Sequence, residues 1–119
     1  MEIIHETKMT AVCPNEGHIN NYEVKLDVPG FIEVEKILEI LEEYKDTKIF
    51  QEDLTKALCK QIQSYYGEED KIVFVELKGE HLGVMITTKY NYPGTRYKRW
   101  SGGFVVLFVE NVGKKNTER

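Results

Sequence analysis

Tyr22-Glu-Val-Lys-Leu-Asp-Val28 and the change of pattern just after it decide the fold class. Apolar and polar residues alternate here with period two, which sets one side against a core and the other in water, as in a half-buried strand. Pro29-Gly30 ends it, because proline lacks the N–H that a ladder needs and glycine enters turns without steric cost. The period then changes. Val34, Ile37, Leu38, Leu41 and Tyr44 recur at spacings of three and four, predicting one apolar stripe on a helix. Glu33, Glu35, Glu39, Glu42 and Glu43 form its acidic other face.

Upstream, Ile3 to Cys13 reads as a strand running into Pro14-Asn-Glu-Gly17, which carries strong turn chemistry. The two strands form a first hairpin. Downstream, Phe50, Leu54, Leu58, Ile62 and Tyr65 make a second helical stripe that Gly67 stops. Lys71 to Leu77 is a strand, Gly79-Glu-His-Leu82 a turn, and Gly83 to Tyr90 the returning strand. Phe104 to Val109 is apolar and β-rich, a candidate further strand. The order β-β-α-α-β-β predicts an α+β domain: one antiparallel sheet with two helices on one face. Without repeats or linkers, residues 1–112 form a single domain, and 113–119 a basic, solvated tail with partial disorder.

The 119 residues suit one domain with one modest core. No apolar run nears the roughly 18 residues that suggest a membrane span, and the acidic start lacks a signal-peptide pattern. The expected location is cytoplasmic, with no membrane partner. Charge is uneven: residues 1–88 carry a net −9 and residues 89–119 a net +5. A basic segment on an acidic body is suited to phosphates.

Two cysteines in such a chain make no disulfide framework. Cys59, among helix-forming residues, reads as a small residue near the core edge. Cys13 ends a strand just before a turn, where a thiol can stand at the mouth of a pocket. An ordinary thiol is only a few per cent thiolate at neutral pH, so a nucleophilic one needs a base or cation beside it. Phe50-Gln51-Glu52 opens the second helix, where a carboxylate is favoured by the helix dipole. Asn91-Tyr-Pro-Gly-Thr-Arg-Tyr97 is an aromatic, basic turn after the last sheet strand.

In this order, these three features resemble the QueF family, which handles the nitrile of 7-cyano-7-deazaguanine. Family members carry Cys-Pro at the end of an early strand, as at Cys13-Pro14, and Phe-His-Glu at the start of the second helix, matched by Phe50-Gln51-Glu52. Many also carry Asn-Tyr-Gly-Lys-Pro-Gly-Thr-Lys-Tyr, echoed from Asn91 to Tyr97. The resemblance covers roughly residues 8 to 99. It implies the tunnelling fold, in which subunits join edge to edge into a barrel and share active sites, so a ring-shaped homo-oligomer is expected. It implies that the Cys13 thiolate adds to the nitrile carbon to give a thioimide, that Glu52 holds the pyrrole and amino edge of the base, and that aromatic side chains hold its ring.

Two departures refine this. Reducing members hold NADPH with Glu-Ser-Lys-Ser-Leu-Lys in the first helix. Here the stretch is Phe31-Ile-Glu-Val-Glu-Lys-Ile-Leu, with one lysine, Lys36, among glutamates, which opposes a phosphate-rich dinucleotide. A QueF-like branch lacks that motif and lets ammonia attack the thioimide, giving the amidine of archaeosine in the D-loop of tRNA. This chain resembles that branch: an amidinotransferase with tRNA and ammonia as partners, no cofactor and no metal ligands. Lys89, Arg96, Lys98 and Arg99 are its candidate RNA-phosphate contacts. The second departure is Asn20, where the family has an aspartate as proton shuttle. An amide cannot carry a proton at neutral pH. His18 is the expected substitute, histidine being the side chain suited to proton exchange there.

Other readings stay open: an NADPH-dependent 7-cyano-7-deazaguanine reductase, a zinc cyclohydrolase of the same fold using Cys13, a histidine and Glu52, or a non-catalytic member that binds the base or the tRNA.

Overall fold

The computed structural model describes residues 2–67, 71–92 and 104–111. Strands β1 (Ile3–Val12) and β2 (Ile19–Val28) form the first hairpin; helices α1 (Val34–Glu42) and α2 (Gln51–Tyr66) come next; β3 (Val73–His81) and β4 (Val84–Tyr92) form the second hairpin, and β5 (Phe104–Asn111) comes last. All neighbours pair antiparallel in the order β1-β2-β3-β4-β5. The expected order therefore holds, and the candidate strand near the C-terminus is present as a fifth. No helix among the described residues is long and apolar enough to cross a membrane. The tail 113–119 lies outside the described residues.

The core lies between one sheet face and the helices. Met9 and Ala11, then Tyr22, Val24, Leu26 and Val28, supply the hairpin's buried side, and Val73, Val75 and Leu77 continue it across β3. Helix α2 packs on β3 and β4 through Leu54, Leu58 and Ile62, each with no exposed surface. Cys59 is fully buried too, and its thiol donates to the Val73 carbonyl at 3.3 Å, which puts it in the core rather than at its edge.

Three local expectations change. On α1 the buried residues are Ile37, Ile40 and Leu41, while Val34 and Leu38 are about half exposed. The helix ends at Glu42, so Tyr44 sits beyond it, where its hydroxyl donates to Gln61 Oε1 at 2.8 Å. On α2, Phe50 and Tyr65 stand at the helix ends, more than two-fifths exposed. Finally, Gly79 is no turn residue. Strand β3 runs on to His81, and the tight connection is Leu82-Gly83, both at positive φ. Gly79 lies inside the strand because the Tyr22 ring occupies its side-chain space: an added Cβ would meet ring carbons at 2.7 and 2.8 Å.

The sheet face away from the helices is built of charge. Across the strands Glu6, Lys25, Glu76 and Lys89 stand in register, and the next row is Lys8, Glu23 and Lys78. Sign alternates along each row and between rows.

Candidate active site

The site begins with a turn. Gly17, at φ +79, lets the chain reverse after Cys13. The Gly17 N–H donates to the Cys13 carbonyl at 2.9 Å, and the Cys13 N–H to the His18 carbonyl at 2.8 Å. The loop between β1 and β2 is thus closed by its own backbone, and its side chains are brought together. The Cys13 sulfur, a Glu16 carboxylate oxygen and a His18 ring nitrogen all lie within 4.8 Å of one another. His18 Nδ1 stands 3.0 Å from Glu16 Oε1. Cys13 is 9% exposed, whereas the Glu16 and His18 side chains are more than half exposed.

A second device brings helix α2 to this turn. The segment after α1 is stitched to the end of β1: the Val12 N–H donates to the Thr47 carbonyl at 2.9 Å, and the Ile49 N–H to the Val12 carbonyl at 3.1 Å. Two residues later α2 begins, so its start stands beside Cys13. The Gln51 amide then fixes it to the sheet. Its Nε2 donates to the carbonyls of Leu77 at 3.2 Å and Ile86 at 3.0 Å, and contacts Thr88 Oγ1 at 3.3 Å. Thr55 completes the network, donating to the Gln51 carbonyl at 2.7 Å and meeting Thr88 at 2.6 Å. With Nε2 committed, Gln51 Oε1 faces Gly79.

These elements enclose a cavity of about 250 Å³, lined among others by Cys13, Asn20, Tyr22, Phe50, Gln51 and His81. It falls just short of the roughly 300 Å³ at which ordinary small-molecule pockets begin, a size for one flat heterocycle. Asn20 donates through Nδ2 to the Tyr22 hydroxyl at 3.3 Å.

Of the residues singled out in the sequence, Cys13, Asn20, Phe50 and Gln51 therefore meet at one cavity, and His18 meets Cys13 at the turn. Glu52, next to Gln51 and half-buried, does not line the cavity. Lys89 is exposed on the charged sheet face, 4.0 Å from Glu76. Arg96, Lys98 and Arg99 lie outside the described residues. The sequence reading missed Glu16, whose position between Cys13 and His18 was its signal, and His81, which carried none.

No family model and no curated protein matches the chain. Among solved structures, it matches the crystal structure of the archaeosine synthase QueF-Like in the apo form, with a TM-score of 0.64 and 16% identity over 96% of each chain. At that identity the likeness is one of architecture: the chain has the tunnelling fold, β-β-α-α-β-β with an added fifth strand, and shares it with that synthase.

Proposed function

We propose that the chain is a QueF-like amidinotransferase of tRNA modification, converting the nitrile of 7-cyano-7-deazaguanine to the amidine of archaeosine. The observation that carries this is the grouping of Cys13, His18 and Glu16 at the edge of a heterocycle-sized cavity. The shared fold with an archaeosine synthase supports it. A thiol needs a base to become a nucleophile, and a base works best when a third group orients it. Glu16 orients His18 through Nδ1, leaving the other ring nitrogen for the thiol. His18 takes the Cys13 proton as sulfur adds to the nitrile carbon, and returns it to the nitrile nitrogen, giving a neutral thioimide. Ammonia then adds to the same carbon. Its surplus proton passes through His18 to the departing Cys13 sulfur, the C–S bond breaks, and the amidine and free thiol result. Atoms balance with ammonia alone, and no redox partner is required.

Gln51 Oε1 is the acceptor for a donor edge of the base within this cavity, and Phe50 and Tyr22 supply flat apolar contact. Glu52 holds the base only where a neighbouring subunit brings it to the cavity. That fits a ring-shaped homo-oligomer closed through the exposed edge of β1. Lys89, Arg96, Lys98 and Arg99 contact tRNA phosphates in this reading. Against NADPH, the lone lysine of the relevant stretch, Lys36, already lies 3.4 Å from Glu39 among the acids of α1.

Intact-protein mass spectrometry tests the proposal. After mixing with 7-cyano-7-deazaguanine, or with tRNA carrying it, the wild type gains the mass of one substrate and Cys13→Ala gains none. Ammonium, not NADPH, discharges the adduct. No adduct with either substrate would sink the mechanism, and discharge by NADPH would make the chain a reductase.

A further inference from the structure

The Cys13 turn has a property that nitrile chemistry does not require. A soft thiol, a borderline imidazole and a carboxylate oxygen within 4.8 Å of one another are a donor set that binds zinc-class cations. We infer that Cys13, Glu16 and His18 form a capture site for such a cation, and that its occupancy switches the nucleophile off.

In a tetrahedral zinc site, ligand atoms stand about 3.3–3.8 Å apart, given zinc–ligand bonds near 2.0–2.3 Å. The widest separation, at most 4.8 Å, needs a contraction of about 1 Å, and the 3.0 Å between His18 Nδ1 and Glu16 Oε1 must open slightly. Two of the three donors allow it, because the Glu16 and His18 side chains are more than half exposed and free to turn. The backbone needs no change, since the hydrogen bonds between Cys13 and His18 and between Gly17 and Cys13 already close the loop. Three protein ligands leave a fourth position for water. The thiolate discriminates against magnesium and calcium, which prefer oxygen. On binding, the metal–sulfur bond forms and the thiol proton is released to solvent. The sulfur lone pair that would attack a nitrile is then held by the metal. The cation is accordingly an inhibitor and not a resident cofactor. The inhibitory role rests on the proposed function, whereas the affinity does not.

The test uses the full chain, stripped of metal, with cobalt(II) as a spectroscopic probe and zinc in competition against a chromophoric chelator. The wild type is expected to bind one cobalt, with tetrahedral visible bands and a thiolate-to-cobalt charge-transfer band in the near ultraviolet. Cys13→Ser should lose the charge-transfer band, and His18→Ala and Glu16→Gln should each weaken zinc binding at least tenfold. Both are exposed positions, and an unchanged melting temperature will show that these variants fold. A charge-transfer band that survives Cys13→Ser, or zinc binding indifferent to both other variants, overturns the site. In the nitrile mass assay, zinc-loaded protein should give no adduct where metal-free protein does. Equal adduct in both overturns the inhibitory role. A cobalt spectrum that maps to these residues with no adduct under any condition leaves the metal site standing and removes the amidinotransferase reading instead.

Discussion

Tyr22 and Gly79 occupy one space, and only one of them can have a side chain there. An added Cβ at Gly79 would stand 2.7 Å from a ring that is itself 5% exposed and held by the core. Gly79→Ala is therefore expected to cost about 1–3 kcal/mol, as overpacking does in closed cores. Thermal unfolding measures it, and combining the change with Tyr22→Leu should cost less than the sum of the two singles. At Cys13 the prediction concerns rate. His18→Ala should slow thioimide formation about 10²–10⁴-fold at neutral pH, the span of general acid–base catalysis. A mutant rate equal to wild type from pH 6 to 8 would remove His18 from the mechanism. Cys13 was singled out by its order with Phe50-Gln51-Glu52 and the Asn91 to Tyr97 stretch, because by position alone a cysteine at a strand end reads more readily as a small packing residue. Glu16 was passed over, since an acid in a turn is ordinary unless its place between Cys13 and His18 is read with it. Gly79 was misread for a similar reason: in sequence, a glycine making room for a ring looks like one making a turn.

Helix α2 is held to the sheet by its buried stripe of Leu54, Leu58 and Ile62, and Gln51 fixes where it starts. One amide bridges two strand carbonyls and a threonine, and it does so at the helix start beside the cavity. Gln51→Leu removes the only donor that these contacts share, and should lower stability by about 1–3 kcal/mol, the cost of leaving buried acceptors unmet. Melting curves measure this, and the adduct rate should fall as well, because Phe50 moves with the helix start. The periodicity gave α2 correctly in its middle and failed at its ends, where Phe50 and Tyr65 meet solvent. On α1 it chose Leu38 over Ile40, because a short helix with several apolar residues offers more than one stripe and packing selects among them. Strand β2 carries a pH-dependent element. Asp27 lies between Ile4 and Phe74 across the ladder, and burial first, then the Glu2 charge, raise its carboxyl above the ordinary range, with Lys25 opposing. The folded chain thus keeps a proton that the unfolded chain has lost. That stabilises at low pH and is lost as pH rises through the raised value, so the charge is a cost at neutrality. Asp27→Asn should melt higher than wild type near pH 7, with the gap closing on acidification. A gap that widens in acid would contradict the assignment.

At the scale of the whole molecule, a sheet with charge on one face and helices on the other has two different neighbours to satisfy. The charged rows contribute little individually, since exposed ion pairs such as Lys89 with Glu76 are worth about 0–1 kcal/mol. Their alternation keeps that face wetted and free of net attraction for another sheet, as suits the lining of a ring. Among the described residues strand β1, ten residues long, is an edge strand, and apart from Val12, which is stitched to Thr47 and Ile49, its outer side has no ladder partner. Light scattering should find a closed oligomer that dissociates when alternate β1 residues are replaced with proline. A monomer at micromolar concentration would refute the ring. The order of elements was legible from end to end, because alternation and threefold-or-fourfold spacing are local signals. The cavity was not, because it depends on the stitching of Val12 to Thr47 and Ile49, which joins residues far apart in the chain. The turn itself is the opposite case. In the proposed mechanism, nucleophile, base and orienting acid occupy six consecutive codons, from Cys13 to His18. One inserted or deleted codon there would dismantle the whole chemical outfit in a single event. The same six codons, carried intact onto another hairpin, would take that outfit along as one heritable unit.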